Sequence, residues 1–304
     1  MNDDIIVRNS LKAWFLAARP KTLSGAAVPV MIGLALAFKE ITENQFNWIP
    51  ALLCLLFAFV MQIDANFIND LFDFKKGNDN ETRLGPARAC AQGWIAPSSM
   101  FKAIVLTTLT ACIIGFPLIF YGGIRLILIG LLCVIFCFLY TTYLSYHGLG
   151  DLLVLVFFGL IPVCIPYYIL THTISLLVVI ASIACGLVID TLLIVNNYRD
   201  YDNDKQVGKN TLIVKIGLKK GGLFYFLSGA TAVTLGAIYV IYGYTLAFFL
   251  PLIYLILHYH TYQIMICIHK GKALNMVLGK TAFNMLAYGV LTTLGIILSS
   301  LLPL

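Results

Sequence analysis

Two polar stretches, Asn66-Phe-Ile-Asn-Asp-Leu-Phe-Asp73 and Asn196-Asn-Tyr-Arg-Asp-Tyr-Asp-Asn-Asp204, each stand where a long apolar run gives out. Such runs span a bilayer as a helix when they reach ~20 residues. The stretches therefore read as the mouths of membrane helices, and their recurrence organises the rest of the chain. Of all residues, 60% are hydrophobic and only 11% charged, with a mean hydropathy of +0.91. Globular domains carry roughly 25% charged residues. The composition is that of an integral membrane protein, in which patches this rich in Asp and Asn require a reason.

The apolar runs place nine spans near 22–38, 49–69, 101–121, 124–144, 151–171, 175–198, 221–243, 245–262 and 280–303. The expected fold is an all-α membrane protein, nine transmembrane helices around a central cavity with cytoplasmic cap loops. It forms one domain over 1–304, in which 1–17 is an N-terminal cytoplasmic segment. The first helix has no short apolar core followed by a small-residue cleavage site, so no cleaved signal peptide is expected. With these spans, every Lys and Arg except Lys39 and Arg125 falls on one face. The positive-inside rule makes that face cytoplasmic, with the N-terminus inside and the C-terminus outside. Both acidic stretches lie on the same side. The net charge of +6 is explained by this segregation and calls for no nucleic acid. The eight cysteines lie mostly within apolar runs and read as small core residues.

Helical geometry puts residues three, four and seven apart on one face. Asn66, Asn69, Asp70 and Asp73 then form one stripe, with Asp79 following after the turn at Gly77. Asn196, Asp200 and Asp204 form a second. Carboxylates this close repel one another unless a cation joins them. Mg²⁺ commonly uses a few carboxylates together with substrate phosphate oxygens. Arg83, Arg88, Lys205 and Lys209 follow the two stripes. Guanidinium groups grip phosphate oxygens in pairs, and Lys acts as a point charge. Asp64 points away from the first stripe and is expected to pair with a neighbouring helix. Asp190, seven residues before Asn197, is a candidate for the cavity below the second.

Together these motifs resemble the UbiA family of intramembrane aromatic prenyltransferases, and within it the naphthoate branch. Ala18-Arg-Pro-Lys-Thr-Leu23 resembles the start of the family signature. The stretch 66–73 with Gly77 and Asp79 resembles its first aspartate motif. Asn196-Asn-Tyr-Arg-Asp200, Asp204 and Gly208-Lys-Asn-Thr-Leu212 resemble the second. Arg83-Leu-Gly-Pro-Ala-Arg88 is similar to the naphthoate branch, as are Gly148-Leu-Gly-Asp151, Phe157-Phe-Gly159, Leu274-Asn275 and Thr281 to later family positions. Residues 140–147, Tyr-Thr-Thr-Tyr-Leu-Ser-Tyr-His, depart from the branch, which often has Gly-Pro there; at 151 Glu is commoner.

The resemblance implies transfer of a polyprenyl group from polyprenyl diphosphate to an aromatic acid acceptor. The acceptor it favours is 1,4-dihydroxy-2-naphthoate, with decarboxylation, in an inner (cytoplasmic) membrane of a bacterium. It implies Mg²⁺ held by Asn69, Asp70, Asp73, Asp79, Asp200 and Asp204, with Asp70, Asp73, Asp200 and Asp204 catalytic. Arg83, Arg88 and Lys209 would bind diphosphate. Asn66, Asn196, Arg19, Lys21 and Tyr140 would contact substrate, and Tyr143, Tyr146, Tyr198 and Tyr201 are further candidates for the cavity wall. The same tyrosines also fit an interfacial aromatic belt. Asp151 and the diphosphate itself are the candidates for a general base. Other acceptors (4-hydroxybenzoate, homogentisate) and, from a different class, a cation-coupled transporter are the competing readings. A transporter places its ionisable residues near the bilayer midplane, whereas these sit at a membrane edge.

Overall fold

The computed structural model describes residues 6–41, 45–77 and 83–301. Among them every regular element is helical. A short helix α1 (Leu11–Ala18) is capped by Ser10, whose hydroxyl accepts from the Ala13 amide at 3.2 Å. Arg19 then adopts a left-handed backbone (φ 51°) ahead of Pro20, which ends α1 and redirects the chain into α2 (Leu23–Glu40). The N-terminal segment thus contains a helix laid on the bundle, with Trp14 edge-on to Phe67 at 5.7 Å. There follow α3 (Trp48–Lys75), α4 (Pro97–Gly122), α5 (Leu126–Thr142), α6 (Gly150–Thr171) and α7 (Leu176–Arg199). Next come the single-turn α8 (Tyr201–Gln206), α9 (Leu212–Ile241), α10 (Thr245–Ile268) and α11 (Leu274–Leu301).

Eight helical stretches among the described residues are long and apolar enough to cross a membrane, the first of them α1 and α2 taken together. The fourth expected span is shorter: α5 has 17 residues, the lower limit for a crossing. Helix α7 is the axis of the bundle, with 67% of its most apolar window buried, whereas α4 keeps 17%. The outward side of α4 shows Leu106, Leu109 and Ile113 to the surroundings, as a lipid-facing helix must. The chain is an integral membrane protein.

Without a hydrophobic force between helices in lipid, close approach depends on small residues. Gly33 of α2 faces the Val163 carbonyl of α6, where a Cβ would lie 2.2 Å from the oxygen. Gly159 of α6 faces Gly186 of α7; its Cβ would lie 2.9 Å from the Gly186 Cα. These contacts draw α2, α6 and α7 together. Helix α6 also contains a π-helical turn at Leu155–Leu160, just before Pro162, whose missing N–H disrupts regular helical bonding. Asp64, fully buried, accepts hydrogen bonds from Thr107 at 2.5 Å and Thr108 at 2.8 Å. It pins α3 to α4, the role expected of it.

Candidate active site

The polar ends of α3, α5, α7 and α10 and the starts of α6, α9 and α11 gather at one end of the bundle. Both acidic stretches face a polar pocket of about 220 Å³ there. Its walls include Asn69, Asp73, Asn196, Asp200 and Asp204 together with Arg83, Arg88 and Lys209. Helix α7 stops at Arg199, and Asp200 (φ −90°, ψ 7°) turns the chain into α8. The stripe is bent at that point, yet all three of its members still reach the pocket. Asp79 lies outside the described residues.

Three carboxylates of the pocket, Asp73, Asp200 and Asp204, each meet a cation. Asp73 Oδ2 lies 3.1 Å from Arg88 Nη2. Asp204 Oδ1 lies 3.5 Å from Lys209 Nζ. Asp200 is held by its neighbour Arg199, Nε to Oδ1 at 2.8 Å and Nη2 to Oδ2 at 2.6 Å. Arg199 is itself buried, and its Nη1 donates to Asn275 Oδ1 at 2.9 Å. Asn275 in turn donates to the Leu84 carbonyl at 2.7 Å, tying α11 to the loop that carries Arg83 and Arg88. The sequence presents Arg199 only as one basic residue among several in its segment. Its clasp on Asp200 and the link through Asn275 emerge from the fold.

Asp70 stands apart from the other acids. It is buried, and both its oxygens accept backbone amides, from Ala89 at 2.9 Å and Cys90 at 2.8 Å. Arg19 Nη2 is 3.9 Å away. Each charge-assisted bond contributes roughly 1.5–3 kcal/mol. Asp70 therefore fastens the loop after α3 against the helix end. Asn66 is likewise committed: its amide donates to the Ala18 carbonyl and to Thr22 Oγ1, both at 2.9 Å, holding the break between α1 and α2. Asn69 Oδ1 accepts from Thr141 of α5. Lys76 bonds the carbonyls of Thr141 and Thr142 and lies 3.9 Å from the Tyr146 ring centroid. Burial pushes the Asp204 carboxyl up to about 6, against the opposing effect of Lys209 and with a further push from Asp200.

Beneath the polar pocket opens an apolar cavity of about 1320 Å³, bounded by α2, α3, α5, α6, α7 and α11. It exceeds the ~300–1,000 Å³ of ordinary small-molecule sites. Arg19, Asn69, Tyr140, Thr141, Leu193 and Asn196 line both spaces, so a ligand with a charged head and a long apolar tail could occupy both together. Lys21 and Asn66 border only the large cavity. Of the candidate tyrosines, Tyr140 alone lines these spaces. Tyr198 is turned into the packing of α7 against α9 and α11, with Tyr201 beside it. Tyr143 is exposed, and Tyr146 faces Lys76. Asp190 is buried behind the wall, on neither lining.

The oxygen-only donor set, carboxylates and amide carbonyls without Cys or His, suits a hard cation such as Mg²⁺. Asp204 Oδ2 is buried and has no hydrogen-bond partner among the described residues. Among the described residues no three His, Cys, Asp or Glu side chains converge to hold an ion unaided. Mg²⁺ commonly keeps waters and takes phosphate oxygens in place of a full protein cage.

A sequence model of the UbiA prenyltransferase family matches residues 26–300. A 1,4-dihydroxy-2-naphthoate octaprenyltransferase from Haemophilus influenzae is 35% identical over 234 residues, 74% of this chain and 76% of that one. The Escherichia coli protein of the same name is 35% identical over 215 residues, 68% of this chain and 69% of its own. Among solved structures, a UbiA homolog from Archaeoglobus fulgidus bound to DMAPP and Mg²⁺ superposes with a TM-score of 0.62 at 16% identity. That superposition covers 92% of this chain and 98% of the other. The matched span, the shared fold and the two acidic helix ends agree: the chain belongs to the UbiA prenyltransferase family.

Proposed function

We propose that the protein transfers a polyprenyl group from polyprenyl diphosphate to 1,4-dihydroxy-2-naphthoate, with loss of carbon dioxide, giving demethylmenaquinone. The observation that carries this reading is the continuity of the acidic and basic pocket with the large apolar cavity through Tyr140, Asn69 and Asn196. A diphosphate head fits the first and a polyprenyl chain the second. The naphthoate relatives supply the acceptor by name. The site faces the cytoplasm of a bacterial inner membrane, because the basic residues collect at the same end.

Asn69, Asp73, Asp200 and Asp204 would hold Mg²⁺, which when bound neutralises the diphosphate and favours its departure. In the structure these carboxylates are matched by Arg88, Arg199 and Lys209. On substrate binding these cations would turn to phosphate oxygens, which would leave Asp73, Asp200 and Asp204 available to hold the ion. Arg83, anchored by its Nε to the Pro86 carbonyl at 3.0 Å, adds a donor from the cap loop. Asp70 acts by holding that loop in place. The positive groups stabilise the negative charge that grows on the leaving diphosphate. The apolar cavity excludes water from the allylic carbon that becomes cationic.

The test is purified protein in detergent with labelled polyprenyl diphosphate and a panel of aromatic acids, with Mg²⁺ or with EDTA. Transfer to dihydroxynaphthoate with Mg²⁺, and none with EDTA, is expected. Transfer to 4-hydroxybenzoate or homogentisate in its place would reassign the acceptor, and activity in EDTA would remove the metal.

A further inference from the structure

Asp151 is the second residue of α6, and only 8% of it is exposed. It lines the polar pocket, and its Oδ1 has no hydrogen-bond partner among the described residues. The acids assigned to the diphosphate site each face a cation, whereas no ion pair to Asp151 is found among the described residues. A buried carboxylate oxygen left unsatisfied is unfavourable, and a ligand that bonds to it removes that cost. Its position tells which ligand. A Cβ placed on Gly150, the preceding residue, would lie 3.2 Å from Leu193 Cδ2 and 3.8 Å from Tyr140 Cε2. Leu193 and Tyr140 are two of the residues shared by the polar pocket and the apolar cavity. Asp151 therefore sits beside the rim where the charged head and the apolar tail of the donor meet. The reacting carbon joins head to tail, so the acceptor ring must come to this rim.

We propose that Asp151 is the general base that removes the phenolic proton of the aromatic acceptor. The proposal rests on the prenyl-transfer reading above. The acceptor's O–H bond breaks and the proton passes to Asp151 Oδ1. The electron pair remains on the ring oxygen and delocalises into the ring, which forms its new bond to the prenyl carbon as the bond from that carbon to diphosphate oxygen breaks. A negatively charged ring oxygen makes the ring carbon a far better nucleophile than the neutral phenol. Asp190, buried on α7, lies within electrostatic range of Asp151. Asp190 is on neither cavity lining and acts only through Asp151.

The experiment compares wild type, Asp151→Asn and Asp151→Glu in detergent, with two acceptors: dihydroxynaphthoate and a ring-fluorinated counterpart whose hydroxyl is more acidic. Binding of Mg²⁺ with geranyl thiolodiphosphate, which does not react, is measured alongside. Asp151→Asn is expected to lower kcat by roughly a hundredfold or more, the usual contribution of a positioned base. Its affinity for the thiolodiphosphate should stay that of wild type. The fluorinated acceptor should recover part of the loss, and Asp151→Glu should recover more of the rate than Asn. An Asp151→Asn enzyme with wild-type kcat overturns the assignment. So does one that has lost thiolodiphosphate binding, or one equally slow on both acceptors. Failure of the wild type to prenylate any hydroxylated aromatic acid would instead defeat the functional reading, and the base with it.

Discussion

Arg199 clasps Asp200, its neighbour in sequence, through two parallel hydrogen bonds of 2.8 and 2.6 Å at the end of α7. The helix stops there, so the two side chains fold back on one another instead of diverging as adjacent residues on a helix do. This arrangement sets a carboxylate and a guanidinium side by side in a partly closed pocket, where the proposed diphosphate would meet them.

Arg199→Lys keeps the charge but loses the planar fork and the bond to Asn275. A lost charge-assisted pair is worth about 2 kcal/mol, or roughly thirtyfold in kcat/KM. Steady-state kinetics over a range of prenyl diphosphate concentrations checks this. Wild-type kcat/KM in the Lys variant would show that the fork contributes nothing.

Asp70→Asn retains one acceptor for the Ala89 and Cys90 amides and sets an NH₂ group against the other. One buried N–H then goes unpaired, at a cost of about 1–3 kcal/mol. The expected result is a lower unfolding temperature in detergent and faster trypsin cleavage after Arg83 or Arg88. An unchanged melting curve and digestion pattern would mean that the loop is fastened elsewhere.

The Asp204 carboxyl, raised to about 6 by burial, is ionised at pH 7 and protonated below 6 in the metal-free protein. A proton on it competes with a metal ion. Affinity for Mg²⁺ in the presence of a prenyl thiolodiphosphate should therefore weaken as pH falls through 6, by at most about tenfold per pH unit for one displaced proton. Asp204→Asn should flatten that dependence in a calorimetric titration. A wild-type affinity constant from pH 7.5 to 5 would contradict it.

Much of this was legible in the residues, for local reasons. Run length and hydropathy locate a membrane helix without reference to its neighbours: the span near 175–198 matches α7 closely, and that near 49–69 matches the start of α3, which runs on through the polar stretch to Lys75. Segregated Lys and Arg put Asp73 and Asp204 at one end of the bundle. What escaped depends on contacts distant in the chain. Asn275 meets Arg199 across 76 residues. Nothing in the stripe Asn66, Asn69, Asp70 and Asp73 reveals that the loop amides of Ala89 and Cys90 would claim Asp70, or that the break before Pro20 would claim Asn66. Tyr198 belongs to the second motif, but the rotation of α7 turns its ring into the core. The pairing of Asp64 with α4 is legible because a helix stripe also tells which side is opposite.

The central claim is that the ends of α3 and α7 jointly hold one magnesium-bound diphosphate. The most direct measurement is the binding of geranyl thiolodiphosphate to wild type, Asp73→Ala and Asp200→Ala, each titrated with Mg²⁺. Wild type should bind only when Mg²⁺ is present, and either substitution alone should abolish that dependence together with turnover. Mg²⁺-dependent binding and turnover at the wild-type level in either variant would contradict the account.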